Sequence, residues 1–435
     1  MGRLPTASWL RPKLALLMNA TPQSFGSKLA RFASSIVPGI FMVGYVIGTG
    51  SVTTMATAGA SYGMSLTWTL ILASFLTHVM FVGISKCTIV SGDTILFTFR
   101  KHFGDAVTGF IIFGLVLTQV ASIIGVMAIV TEVVREWSRP LTSDGTGFSQ
   151  LGLAVFFTAL LLALFWNGRH QFFLKVLSLL VALMGIAFVV TASMVAPEPV
   201  EMLRGVLPSI PAKGNPQLLI AGMIGTTMAS VVLVSRSIVV KEKGWIPADL
   251  PVASRDSMIS VTLMFVINSA IMACAAGTLF VRGLEIENAI DMVATLQPLA
   301  GRLAASGFVL GLVAAGLSSL FPNYLLGPWM VCDFLGLPRD LSRRGFRLLV
   351  AGTALFGLVV PVFGGRPVQI MIASQAISPL IMPLIASFTM ILLLRKDFVR
   401  EHANSTAFNV VLGITVLFTF YMLYLAVLGF LGAIG

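Results

Sequence analysis

Long apolar stretches alternate along the chain with short polar segments. Each stretch holds about 20 or more residues, which is the length that an α-helix needs to cross a hydrocarbon core of ~30 Å. The pattern predicts an all-α polytopic membrane protein, in which we number the spans in chain order. Eleven spans are predicted, at 36–62, 64–90, 106–134, 149–167, 173–196, 216–240, 257–281, 303–332, 346–364, 368–394 and 406–432.

The composition agrees with this pattern and excludes a soluble enzyme. Hydrophobic residues make up 57% of the 435 residues and charged residues only 10%, whereas a soluble domain carries about 25% charged residues. The sequence contains no Walker loop and no His/Cys metal cluster. We therefore predict a protein that is not an enzyme, that needs no cofactor, and whose main partner is the lipid bilayer.

The basic residues predict the orientation in the membrane. With the N-terminus in the cytoplasm, 19 of the 28 Lys and Arg lie in cytoplasmic segments and 7 in external loops, while Lys86 and Arg236 lie within spans. Such a bias is the positive-inside signal. It predicts a bacterial inner-membrane protein with a cytoplasmic N-terminal segment at 1–35 and an external C-terminus. It also accounts for the net charge of +11 without nucleic acid as a partner.

Spans one and six carry matching interruptions. Both place Ile-Gly-Thr near mid-span, at 47–49 and at 224–226, followed by small polar residues. Glycine disfavours a continuous helix, and a broken helix at membrane depth is tolerated where it lines a cavity or is buried in protein. Small residues also serve close helix packing, but paired interruptions favour a central transport site. The predicted substrate-binding residues are Gly48, Thr49, Gly50, Ser51, Thr226, Thr227, Met228 and Ala229.

Several short segments occur in an order and spacing that resemble the natural resistance-associated macrophage protein (NRAMP) family of divalent-metal transporters. The resemblance runs from about residue 37 to 400. The segments that carry it are Pro38-Gly39, Ala58-Gly59-Ala60-Ser61-Tyr62-Gly63, Leu66-Thr67-Trp68, Val90-Ser91-Gly92-Asp93-Thr94, Lys241-Glu242-Lys243-Gly244-Trp245, the stretch from Phe308 to Ser319, Ser374-Gln375 and Met382-Pro383-Leu384.

The resemblance implies the fold and the general mechanism. Family members have the inverted-repeat fold of leucine-type sodium symporters, with helices one and six broken, and they work by alternating access. On that basis the chain divides into a first repeat at 36–196, a second repeat at 216–394 and a final helix at 406–432. The resemblance also adds Gln375, which matches a span-ten glutamine that contributes to the metal site in some family conformations.

The site residues depart from the family pattern. The family's Asp-Pro-Gly-Asn motif is replaced by residues 48–51, which removes the carboxylate ligand, and the family's thioether position is Ala229. The acidic pair of span three aligns with Gln119 and Ser122, which do not titrate usefully. A span-six histidine aligns with Arg236, which cannot relay protons. Proton coupling by the family's route is therefore in doubt.

The predicted function is a secondary-active or facilitative membrane transporter of NRAMP type for a divalent metal cation. Hydroxyl and carbonyl oxygens suit a hard, hydrated cation such as Mg²⁺ better than Mn²⁺ or Fe²⁺. The predicted metal ligands are Ser51, Thr226 and Gln375, and the predicted pathway or gating residues are Gln119, Ser122 and Arg236.

Two alternatives remain open at this stage. The exposed helix N-termini and Arg236 would suit an anionic or zwitterionic organic solute, and an NRAMP-fold scaffold or sensor would not transport at all. Arg236 itself either snorkels to the interface or places a fixed charge in the inner vestibule. The sequence does not indicate the oligomeric state.

Overall fold

The computed structural model describes residues 48–167, 170–195, 197–296, 298, 304–335, 337 and 343–434. The predicted N-terminal segment at 1–35 and the first part of span one lie outside the described residues. Every long regular element in the described part is an α-helix. The helices are α1 Thr49–Tyr62, α2 Thr67–Ser91, α3 Ile95–Phe103, α4 Asp105–Ser138, α5 Gln150–Asn167, α6 His170–Met194, α7 Pro199–Arg204, α8 Pro216–Thr227, α9 Ser230–Lys243, α10 Leu250–Thr278, α11 Ala304–Leu335, α12 Arg344–Leu355, α13 Val359–Phe363, α14 Pro367–Ala376, α15 Ser378–Leu394, α16 Lys396–Val399 and α17 Thr406–Ile434.

The predicted all-helical membrane architecture is confirmed. Among the described residues, nine helices are long and apolar enough to cross a membrane, and they correspond to spans two, three and five to eleven. Span four is a shorter apolar helix, Gln150–Trp166. Span one is represented by α1, which is its second half.

The predicted breaks coincide with the ends of helices. In span six, α8 ends at Thr227 and α9 begins at Ser230, while Met228 and Ala229 leave helical geometry (φ −109°, ψ 43° and φ −56°, ψ 128°). In span one, α1 begins at Thr49 after Gly48, whose backbone is extended (φ −99°, ψ −172°). The break of span one therefore falls at its Gly-Thr element, whereas the break of span six falls among the residues that directly follow its Gly-Thr element.

Span ten is also interrupted, although its apolar run at 368–394 predicts one continuous helix. Helix α14 ends at Ala376 and α15 begins at Ser378, with Ile377 between them. Pro379 lacks a backbone N–H and clashes with the preceding turn, which explains the interruption. The backbone at Ile377 stays in the helical region (φ −71°, ψ −31°), so the interruption is slight and the span continues across it.

Five spans converge on the middle of the bundle. Helix α1 packs along α10 and α8, and α4 packs between α11 and α14. Helix α14 in turn lies against α8. Spans three, eight and ten thereby enclose the helix ends at the breaks of spans one and six. The candidate site lies at this point.

Candidate functional site

A cavity of about 60 Å³ lies where the broken helices meet spans three, eight and ten. Its size corresponds to roughly two water molecules at about 30 Å³ each. The structure brings together seven of the residues that the sequence predicts for the site. They are Gly48, Gly50, Gln119, Ser122, Thr226, Ala229 and Gln375.

Two glycines bring span ten close to the broken helices. A Cβ at Gly225 would lie 1.9 Å from the carbonyl oxygen of Gln375, and a Cβ at Gly50 would lie 2.8 Å from Met371 Cε. Any larger residue at Gly225 would collide with backbone, which cannot swing away as a side chain can. Close approach at these glycines is thus the reason that Gln375 reaches the cavity.

The hydroxyls of Ser51 and Thr226 join the two broken helices. Ser51 Oγ and Thr226 Oγ1 are 2.9 Å apart and buried. Thr226 lines the cavity, whereas Ser51 lies directly behind it. The pair of predicted ligands is therefore hydrogen-bonded, with Thr226 the one that faces the open space.

Three other predicted residues lie beside the cavity rather than on its wall. Thr49 and Thr227 are completely buried, and neither hydroxyl has a hydrogen-bond partner. Met228 is also fully buried, in the apolar core. Buried polar groups without a partner are uncommon and call for an explanation such as a bound water or ion.

A neutral hydrogen-bonded chain occupies the positions where the family resemblance implies a proton path. Gln119 Nε2 donates to Asn323 Oδ1 at 3.2 Å, and Asn323 Nδ2 donates to Ser122 Oγ at 3.0 Å. All three residues line the cavity. None of these groups exchanges a proton near neutral pH, so the chain positions donors and acceptors without carrying charge.

Sequence reasoning missed several residues that line the cavity, notably Thr118, Met371 and Ser378. Ser378 Oγ accepts from the backbone N–H of Ser230 at 2.8 Å and so satisfies the first amide of α9. The interruption of span ten places Ser378 there, and Pro379, which directly follows it, is the sequence signal for that interruption. Met371 sits one turn before Gln375, a spacing that puts both on one helix face.

The described residues of the cavity wall carry no charge. Its polar side chains are hydroxyls and amides, with one thioether from Met371 and no carboxylate or imidazole. Among the described residues, no group of three or more His, Cys, Asp or Glu could hold a metal ion. Oxygen donors therefore dominate, and their attraction for a cation comes from dipoles.

Arg236 lies outside the cavity wall, in a separate buried cluster. Its side chain is 0% exposed, so it does not snorkel to the membrane interface. The guanidinium donates to Asp256 on α10, to Ser85 Oγ at 2.9 Å and to the Ala253 carbonyl at 2.9 Å. The charge is therefore paired and ties α9 to α2 and α10.

Comparisons with known proteins converge on one family. The model of the family described as natural resistance-associated macrophage protein-like matches residues 39–429. The divalent metal cation transporter MntH of Klebsiella pneumoniae is 30% identical over 360 residues, covering 80% of this chain and 82% of that protein. The MntH of Clostridium acetobutylicum is 26% identical over 238 residues, and there the match spans only about half, 54%, of the relative's length.

A solved structure gives the same fold. The manganese transporter of Eremococcus coleocola superposes with a TM-score of 0.72 at 16% identity, covering 94% of this chain and 88% of that chain. At such low identity the likeness concerns the fold alone. It confirms the predicted all-helical transporter fold of the leucine-transporter type, with interrupted helices at its centre.

Proposed function

The chain belongs to the natural resistance-associated macrophage protein-like family, and from this premise we propose that it transports a divalent metal cation by alternating access. The curated relatives named above are divalent metal cation transporters. The observation that carries the proposal is the small oxygen-lined cavity between the breaks of spans one and six. Paired interrupted helices at mid-membrane are where transporters of this architecture bind their substrates.

The chemistry of the wall favours a hard cation such as Mg²⁺. Six hydroxyls and three side-chain amides face the cavity against a single thioether. Mg²⁺ prefers oxygen ligands and keeps several of its waters, whereas sulfur ligands favour softer transition metals. A neutral wall suits an ion that remains partly hydrated, because the retained waters satisfy the ion and hydrogen-bond to hydroxyls and amides.

We assign direct contact with the ion or its waters to Thr226 and Gln375. Ser51 orients the Thr226 hydroxyl, since the two oxygens are within hydrogen-bond distance. Gln119, Ser122 and Asn323 form the opposite wall through their neutral chain. Because these groups do not titrate near neutral pH, the proposal includes transport without proton coupling through span three.

The organic-solute alternative loses one of its two supports. Arg236 was expected to help the exposed helix N-termini to hold a negative group, but the guanidinium is paired with Asp256 and does not line the cavity. A volume of about 60 Å³ also leaves room for a metal ion that keeps only part of its hydration, but not for a metabolite.

The proposal includes the domain division and the orientation expected from the sequence. Repeats at 36–196 and 216–394 would pack together around the broken helices, with the helix at 406–432 added at the end. The N-terminus would lie in the cytoplasm of a bacterial inner membrane, on the strength of the distribution of basic residues.

Uptake into proteoliposomes tests the function. The purified protein should move Mg²⁺ down its gradient faster than protein-free vesicles, with Mn²⁺ as the competing ion. Gln375→Ala should slow uptake severalfold, because it removes an amide from the cavity wall. Thr389→Ala is the matched control, since the Thr389 hydroxyl donates to the Ile385 carbonyl of its own helix, on the same span but away from the cavity.

Two results would contradict the proposal. No flux of any divalent ion in vesicles that contain folded protein would remove the transport function. Equal slowing by Gln375→Ala and Thr389→Ala would show that the cavity is not the substrate site.

A further inference from the structure

A second cavity lies away from the transport site, at the end of the bundle predicted to be cytoplasmic. It encloses about 260 Å³ between the end of α2, the start of α10 and the start of α17. We call it the lysine cavity, after Lys86. Its polar wall residues are Ser85, Lys86, Ser254, Asn404 and Ser405.

The polar groups of the lysine cavity are rich in donors. Lys86 Nζ donates one hydrogen to Asn404 Oδ1, which leaves two of the three ammonium hydrogens for a ligand. Ser405 Oγ accepts from the Phe408 amide, so its own hydrogen is available. None of the cavity's wall residues is an Asp or Glu. Such a wall favours an anion over a cation.

A second positive group stands directly behind this wall. Arg236 donates to Ser85 Oγ and to the Ala253 carbonyl, and both residues also line the lysine cavity. The carboxylate of Asp256 is shared between two cations, Arg236 and Lys243, at the distances of an ion pair. The buried cluster therefore keeps an excess of positive charge next to the cavity.

The rest of the wall is apolar. Val82, Leu250 and Phe408 complete the wall, and α2, α10 and α17 belong to segments that are long and apolar enough to cross a membrane. A free inorganic anion would leave this apolar surface without a partner. A phosphate attached to an acyl-bearing group would place its charge at Lys86 and its hydrophobic part along these side chains.

From these observations we propose that the lysine cavity binds the phosphate of an anionic phospholipid headgroup. Basic pockets between membrane helices on the cytoplasmic side are suited to such headgroups, because a lysine adds to the attraction of the anionic leaflet. The ligand would bridge α2, α10 and α17 at one end of the bundle. The site is independent of the transport function proposed above.

Thermal unfolding in neutral detergent tests the site. Phosphatidylglycerol added to delipidated protein should raise the unfolding temperature, whereas phosphatidylcholine and inorganic phosphate should not. Lys86→Gln should weaken the apparent affinity for phosphatidylglycerol about tenfold or more, because a charge-assisted hydrogen bond is lost. Lys101→Gln is the matched control, since Lys101 is an exposed lysine of α3 outside the cavity.

The outcomes of these measurements either support or contradict the proposed lipid site. If inorganic phosphate stabilises the protein and Lys86→Gln abolishes this effect, the cavity binds phosphate, but its ligand is a soluble anion rather than a phospholipid. Equal responses of Lys86→Gln and Lys101→Gln to phosphatidylglycerol would overturn the proposal. If Lys86→Gln does not fold, two other variants test the site: Lys86→Arg should retain phosphatidylglycerol binding, and Ser405→Ala should weaken it. Unchanged affinity in Ser405→Ala together with lost affinity in Lys86→Arg would also overturn the proposal.

Discussion

Ser51 Oγ and Thr226 Oγ1 lie 2.9 Å apart and join the broken halves of spans one and six. The contact is made across 175 residues of sequence, so it forms only when the two interrupted spans are correctly placed. Alternating access moves one group of helices against another around the central site. A bond between two broken helices keeps them together as one unit during such a movement.

This hydroxyl pair predicts that the effects of two substitutions on stability are coupled. Ser51→Ala and Thr226→Val should each lower stability by about 1 kcal/mol, the usual net value of a buried hydrogen bond. The double variant should cost less than the sum of the two, because the second change removes a group that the first has already left without its partner. Denaturant or thermal unfolding of the four proteins measures the coupling, and strictly additive losses would show that the two hydroxyls do not interact.

The close contact at Gly225 predicts a strong packing effect. Gly225→Ala places a methyl group 1.9 Å from the Gln375 carbonyl, so span ten must shift. We expect a loss of about 1–3 kcal/mol in stability together with a severalfold slower uptake. Gly352→Ala is the control, since Gly352 is an exposed helical glycine with open space around it. The interpretation fails if the two alanine variants unfold at the same temperature.

The buried ion pair of Arg236 and Asp256 predicts a larger effect on stability than the hydroxyl pair or the contact at Gly225. Removing one member leaves the other charged and unpaired in the protein interior, which costs about 3–5 kcal/mol. Asp256→Asn should therefore unfold at a much lower temperature, and the double variant Arg236→Met, Asp256→Leu should recover part of the loss. Asp397→Asn, which breaks an exposed pair with Arg395, should leave the unfolding temperature unchanged. A double variant no more stable than Asp256→Asn would contradict this account.

The fold could be predicted from the sequence much further than the site could. Apolar runs define the spans because burial in a bilayer demands about 20 apolar residues. Gly48 marks the break of span one because glycine weakens helices, whereas Gly225 stays inside α8 and the break of span six follows at Met228 and Ala229. The interruption at Ile377 was not predicted, because Pro379 lies within an apolar run that looks like one continuous helix. Met371 escaped as well, because an apolar side chain in a span gives no sign of whether it faces lipid, core or cavity.

Arg236 shows why charge alone is a poor guide to the site. Its position in span six is consistent with a charge in the vestibule or with snorkelling to the interface. Which of the two occurs depends on where the nearest acidic side chain lies in the folded protein. Asp256 is twenty residues away in the sequence and on another helix. Only the packing of α9 and α10 against α2 reveals that the two are paired.

Met371 predicts how the cavity selects between metals. Its thioether is the only sulfur among the described residues of the wall, and thioether sulfur favours softer ions. Met371→Leu keeps nearly the same volume, so it should leave Mg²⁺ uptake close to that of the parent while weakening competition by Mn²⁺ or Cd²⁺ severalfold. Competition curves in proteoliposomes measure this ratio. Equal loss for hard and soft ions would assign Met371 a packing role instead.

Gln119 predicts how charge would change the transport site. Gln119→Glu replaces an amide of the cavity wall with a carboxylate of nearly the same shape, so the attraction for a dication no longer rests on dipoles alone. We expect about tenfold tighter binding, which corresponds to roughly 1.4 kcal/mol. The new carboxylate attracts the ion only when ionised, so the gain should be present at high pH and lost as the pH falls through its pKa, whereas binding to the parent should not follow this titration. Isothermal calorimetry with Mg²⁺ across the pH range measures both effects. A parent protein that loses Mg²⁺ binding over the same pH interval would show that a titratable group already serves the site.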